Sequence, residues 1–185
     1  MGLISYPRTQ GHKAPLYYKD KQGTCYLPKS ASHVNILLKY PNWKIKEYHY
    51  VKKDRALFVK ERNKFDSSVR SNFLKNLVEA HKEALVTAGL KDVELERMGR
   101  GKVPLGFQVH HILPLDDNGT NDANNLLLMK NRPYHTSITK LQKSSTFDMQ
   151  VGEERKIGMI VPSEDMLIWP LLMDTPPSEY LLEEF

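Results

Sequence analysis

The stretch that most constrains the fold spans residues 106–142, GFQVHHILPLDDNGTNDANNLLLMKNRPYHTSITKLQ. Two short apolar runs flank a segment made almost wholly of turn formers, and a proline opens a more polar run behind them. Phe107, Val109 and the residues from His111 to Leu113 have the aromatic and β-branched make-up of a short strand, which Pro114 stops. From Asp116 to Asn125 nearly every residue is Asp, Asn, Gly or Thr, so the chain should loop out, with Gly119 available for a positive φ angle. Leu126 to Met129 resume an apolar run. Pro133 suits a first helical turn, where a missing N–H removes no intrahelical bond, with Asn131 or Arg132 before it as the cap. The order strand, long loop, strand, helix predicts an α+β fold, with His110 and His111 on the first strand and His135 on the helix.

Neutral imidazole suits divalent transition metals, and two imidazoles brought together from a strand and a helix make part of a coordination shell. Consecutive strand residues point to opposite faces, so His110 and His111 cannot both be ligands without distortion. One is expected to hold a metal with His135, and the other to face a nucleophilic water as its general base. The residues alone leave open which does which. A cation beside a base is the equipment for phosphodiester hydrolysis: the cation neutralises developing negative charge and the base readies the water. A lone histidine is usually an ordinary surface or core residue, and His12, His33, His49 and His81 are read that way.

With its V-H-H-I-x-P-L (109–115), G-T-N (119–121), N-L-x-L (125–128) and P-Y-H (133–135) motifs, this segment resembles the His-Asn-His (HNH) endonucleases, the ββα-metal nucleases. The resemblance implies a ββα-metal core in which His110 and His135 bind one divalent ion (Zn, Ni, Mn, Co or Mg) and His111 is the general base. Asn125 matches the central Asn, whose side chain in such folds bridges backbone groups of the loop and fixes the base. Two positions depart from colicin-type members. Thr139 stands where a further His ligand follows one helical turn on, leaving the third place to water, to Asn131 or Asn124, or to the phosphate. Gln108 stands where those members carry a carboxylate. The implied reaction is DNA cleavage by in-line attack of hydroxide, leaving 5′-phosphate products.

The stretch from residue 88 to 122 also looks like nuclease modules at the C-terminal ends of polymorphic bacterial toxins and type VI secretion effectors. That likeness implies an antibacterial DNase neutralised by a cognate immunity protein. The alternatives are an HNH nuclease of phage, restriction or repair function, and a catalytically inactive DNA-binding module on the same scaffold.

The remaining sequence is compatible with this. The formal charge of +5 and pI of about 9.1 suit a polyanionic partner. Between residues 39 and 64 nine Lys or Arg face three acids, whereas from Ser163 onward there are six acids and no Lys or Arg. Arg100, Lys102, Lys130 and Arg132, flanking the two strands, are the candidate phosphate contacts. No apolar run approaches the 18 residues of a membrane span, and the N-terminus lacks the apolar core of a Sec signal peptide, so the expected setting is the cytoplasm, or a target cell's cytoplasm after delivery. One cysteine, Cys25, excludes an intramolecular disulfide and a four-cysteine zinc knuckle. No nucleotide cofactor is expected.

Four segments, joined in one compact unit, organise this reading. Residues 1–65 form a basic, β-rich extension, with one hairpin around Gln22-Gly23 and a second, over residues 43–59, turning at Lys53-Asp54; residues 33–40 are helix or strand. Residues 66–99 carry a helix capped by Asp66 or Ser67 and ended by Gly89, then a shorter one from Asp92 to Gly99, both packing on the nuclease core. Residues 100–145 are the motif. Residues 146–185 hold a hairpin over 156–169 and an acidic tail.

Overall fold

A computed structural model describes residues 18–19, 25–26, 43–146, 148–162 and 168–169. Strands and helices mix along the chain in the α+β manner. The first hairpin is present: β1 (Tyr18–Lys19) pairs antiparallel with β2 (Cys25–Tyr26). The segment 33–40 and the chain beyond Trp169 lie outside the described residues.

The alternation in WKIKEYHYV does make a strand, β3 (Trp43–Val51), but its partner is distant. The expected hairpin turn at Lys53-Asp54 does not form. Instead the Asp54 side chain accepts hydrogen bonds from the amides of Ala56 at 2.8 Å and Leu57 at 3.2 Å, capping helix α1 (Arg55–Lys64). An aspartate there satisfies amides that the first helical turn leaves free, so the ALFV run that resembles a strand winds into helix. α1 passes through a π turn, Phe65–Val69, into α2 (Arg70–Thr87). Asp66 is therefore no cap: it sits within the helical run, paired with Arg62 at 2.9 Å and Arg70 at 3.0 Å.

Gly89 ends α2 as expected. At φ 96° it lets its own amide bond the carbonyl of Val86 and that of Leu90 bond the carbonyl of Leu85, closing the last turn. α3 (Asp92–Gly99) follows.

The motif then folds as β4 (Phe107–His111), a loop, β5 (Leu126–Lys130), a tight turn and α4 (Thr136–Thr146). β4 and β5 pair antiparallel from Phe107↔Lys130 to His111↔Leu126. Arg132 is extended (φ −116°, ψ 139°), as a residue preceding proline prefers, and the chain coils after it. In the loop the left-handed residue is Asn118 (φ 75°), not Gly119. Gly119 is required for space instead, because a Cβ there would lie 1.9 Å from the carbonyl oxygen of Leu113.

The C-terminal hairpin expected over 156–169 is replaced by two separate pairings. β6 (Glu154–Pro162) runs antiparallel to β3 along its full length, and β7 (Ile168–Trp169) lies parallel to β5. Local pattern cannot show either partner, since each lies scores of residues away.

The β4–β5 ribbon divides the interior in two. Side chains alternate across it, so Phe107, Val109, Leu126 and Leu128 pack with Leu74, Leu77, Leu85, Leu95 and Met98 of α2 and α3. Leu127 and Met129 face the other way, against Ile138 and Leu141 of α4 and Tyr50, Met159 and Val161 of β3 and β6. Among the described residues no helix is long and apolar enough to cross a membrane.

Candidate functional site

Strand alternation sends the two adjacent histidines into different surroundings, and both line one cleft of about 600 Å³ at the end of the ribbon. His110 is buried on the α4 face. Its ring meets that of His135, which stands where the tight turn enters α4, with centroids 5.3 Å apart and planes at 86°. Burial holds the His110 imidazolium well below its usual pKa, and the neighbouring His135 and His111 push it the same way. Burial likewise lowers His135. Both rings are therefore neutral near pH 7, the form that donates a lone pair to a metal. Two neutral imidazoles, His110 buried and His135 half-buried, meeting at an open cleft fit a divalent ion with affinity for nitrogen.

His111 faces α1 and α2, its ring 4.5 Å from that of Phe65. Its Nε2 lies 3.0 Å from Oδ1 of Asn121. Asn121 Nδ2 in turn donates to the carbonyl of Glu61 at 3.0 Å, which fixes the amide so that Oδ1 accepts from His111. The network thus assigns the ring proton to Nε2 and leaves Nδ1 as the basic nitrogen. Burial lowers the His111 pKa; the Asn121 bond opposes this, while the charges of Arg62 and Lys53 add to it.

Asn125 pins the loop between the strands. Its Oδ1 accepts from the amide of Leu113 at 2.8 Å, and its Nδ2 donates to the carbonyls of Leu113 at 3.0 Å and Thr120 at 2.8 Å. This is the bridging of loop backbone expected of that residue. Lys52 and Lys53, at the end of β3, hold the same loop from outside. Lys52 donates to Asp116 and, at 3.2 Å, to Asp117, and the Lys53 amide donates to the carbonyl of Asp116 at 2.9 Å. Burial raises the pKa of Asp117, against the pull of Lys52.

The four flanking cations are not gathered here. Arg100 and Lys102 line a second cleft on α3, with Glu94 and Glu96, and Arg100 pairs with Glu96 at 3.4 Å. Lys130 is paired opposite Phe107, four residues along the ribbon from His111, which is about 13 Å at roughly 3.3 Å per residue. Neither it nor Arg132 lines the histidine cleft, and neither do Asn124 and Asn131. Closeness in sequence misleads at a strand end, because the ribbon carries its two ends apart. The cations that do line the cleft are Lys52, Arg62 and Lys143. Lys52 and Arg62 belong to the basic stretch before residue 65, so charge density was the readable signal; Lys143 follows from lying on the His135 face of α4, two turns on.

Gln142 also lines the cleft, buried beside His110. Its Nε2 donates to the carbonyl of Ile112 at 3.1 Å and lies 3.4 Å from His110 Nε2. Among the described residues no group of three or more His, Cys, Asp or Glu is placed to hold a metal.

No family model matches the chain, and no solved structure matches it. It is similar to a protein of Escherichia coli (strain K12) named "Uncharacterized protein YhhZ", with 38% identity over 117 residues. The match covers 63% of this chain and 29% of that protein, so the chain spans less than a third of its relative's length.

Proposed function

We propose that this chain is a metal-dependent DNA endonuclease of the HNH type, built on a ββα-metal core formed by β4, β5 and α4. The observation that carries the reading is the placement of the two histidines of β4: the His110 ring lies 5.3 Å from that of His135 on one face, while His111 occupies the other and lines the same cleft. In this reading His110 and His135 hold one divalent ion, which when bound supplies Lewis-acid stabilisation of the developing phosphorane charge. His111 takes a proton from water at Nδ1, its ring oriented by Asn121 through Nε2. The resulting hydroxide attacks phosphorus in line, and the leaving 3′ oxygen departs to give a 5′-phosphate end. Asn125 keeps the loop that carries Asn121 in register. Arg62 and Lys143, on opposite helices of the cleft, position the phosphate backbone and offset its charge. Contacts to backbone alone make binding sequence-tolerant and salt-sensitive.

The setting we propose is a toxic module of an antibacterial effector, held inactive in the producer by an immunity protein; its support is the sequence likeness of residues 88–122 to such modules. A nicking assay on supercoiled plasmid across a panel of divalent cations, with EDTA as control, tests the activity. Cleavage by wild type that EDTA abolishes and His111→Ala loses is expected. Absence of cleavage with every cation would leave a DNA-binding module in place of an enzyme.

A further inference from the structure

We propose that Gln142 supplies the third protein donor, through its side-chain oxygen, to the ion held by His110 and His135; this rests on the reading that the histidine pair binds a cation. The position follows from helix geometry. Residue 142 lies seven after 135, two turns on, so both side chains are borne on one face of the helical run at the cleft. One turn earlier the same face carries Thr139, a neutral hydroxyl, which is a weaker donor than an amide carbonyl.

The orientation of the amide is already fixed. Its Nε2 hydrogens point at the end of β4, toward the carbonyl of Ile112 at 3.1 Å and that of His111 at 3.5 Å, with His110 Nε2 at 3.4 Å. His110 Nε2 keeps its lone pair for the ion, because the two carbonyls are the acceptors and both hydrogens of the nitrogen end are engaged there. The oxygen end is not: Oε1 accepts no hydrogen bond among the described residues, although the residue as a whole is buried. Nor is Oε1 sealed from solvent without a partner, since the one described side-chain atom in that condition is the Tyr50 hydroxyl. An anchored amide on the cleft wall, with its carbonyl oxygen open, the neutral imidazole of His110 beside it and that of His135 against His110, offers a two-nitrogen, one-oxygen donor set. Amide carbonyls favour harder ions such as Mn²⁺ and Mg²⁺, and imidazoles the later transition metals, so the set suits divalent ions that accept both.

The test is a Co²⁺ titration of the full chain, wild type against Gln142→Met and Gln142→Glu, reading affinity and the visible absorption of the bound ion, with thermal melts of each metal-free variant. Methionine removes both ends of the amide. Glutamate removes the hydrogens that cap β4 but keeps an oxygen and adds charge. We expect Co²⁺ affinity to fall at least about tenfold in Gln142→Met, the loss typical even of partners behind a ligand, with a changed absorption band. Gln142→Glu should bind Co²⁺ at least as tightly as wild type despite losing the cap. A purely structural glutamine predicts the opposite pattern, with both variants weakened alike and the band unmoved. If Gln142→Met does not fold, Gln142→Glu decides alone: equal or tighter binding supports the assignment, weaker binding overturns it. If wild type binds Co²⁺ and Gln142→Met matches it, this assignment fails while the histidine site stands. If wild type takes up no Co²⁺, both fail together.

Discussion

The two faces of β4 hold adjacent histidines in unlike company. On the α4 face, His110 meets another imidazole and the anchored amide of Gln142, and among the described residues no carboxylate completes a cluster with them. On the α1 face, His111 meets a phenyl ring and the oriented amide of Asn121. Burial pushes both imidazoles toward the neutral form, but what each can do with its lone pair differs. The first environment collects donors around a point; the second holds a single ring and fixes which nitrogen carries the proton. In the proposed reading, one strand separates ion binding from proton transfer across its own thickness.

The sharpest way to break this comparison is kinetic. His111→Ala should lower the single-turnover nicking rate by about 10²–10⁴-fold, the usual worth of a positioned general base, at saturating metal. A drop of less than tenfold would place the proton transfer elsewhere. Next in size is the loop that unites the faces. Asn125→Ala removes three hydrogen bonds to loop backbone and should cost about 2–4 kcal/mol in urea unfolding of the metal-free chain. A change under about 0.5 kcal/mol would mean the loop holds itself.

The buried face also predicts a pH dependence of stability. His110 and His135 have folded pKa values below the ordinary 6.5, so the folded state binds fewer protons than the unfolded one as pH falls. Their contribution is complete above pH 6.5 and is lost as pH drops below it toward the folded values. The metal-free melting temperature should therefore decline from pH 7 to pH 5, and His110→Asn should flatten that decline. The smallest effect concerns the two sets of cations. Replacing Arg62 and Lys143 with Ala should reduce the slope of log affinity for duplex DNA against log salt by about one per residue, whereas Arg100→Ala with Lys102→Ala should leave it unchanged. Equal effects from both pairs would extend the DNA path onto α3.

Much of this arrangement was readable before any coordinates, and the reasons are local. The strand at Phe107–His111, the second at Leu126 and the helix behind Pro133 are written in short-range chemistry: side-chain alternation, turn residues and a proline, whereas the bridging role of Asn125 was implied only by the family resemblance of its N-L-x-L motif. The helix cap at Asp54 is equally local but competes with a short apolar run, ALFV, that suits a strand; the free amides at the start of α1 decide the matter. What could not be read were pairings across long separations. β6 reaches back to β3, and β7 lies parallel to β5, so the expected C-terminal hairpin dissolved. The same blindness misplaced the cations: Lys130 is near His135 in sequence yet at the far end of the ribbon from His111, while Arg62, remote in sequence, lines the cleft. Gln142 carries no signal as a lone residue; its neighbours become visible only when α4 is laid against β4.

The central claim is that the ion and the proton are handled on opposite faces of one strand. It is tested most directly by divalent-metal titration calorimetry on His110→Ala, His135→Ala and His111→Ala. The account predicts that the first two lose measurable binding while the third retains wild-type affinity. Binding lost in His111→Ala and kept in His110→Ala would reverse the assignment, and binding kept in all three would remove the histidine pair as the metal site.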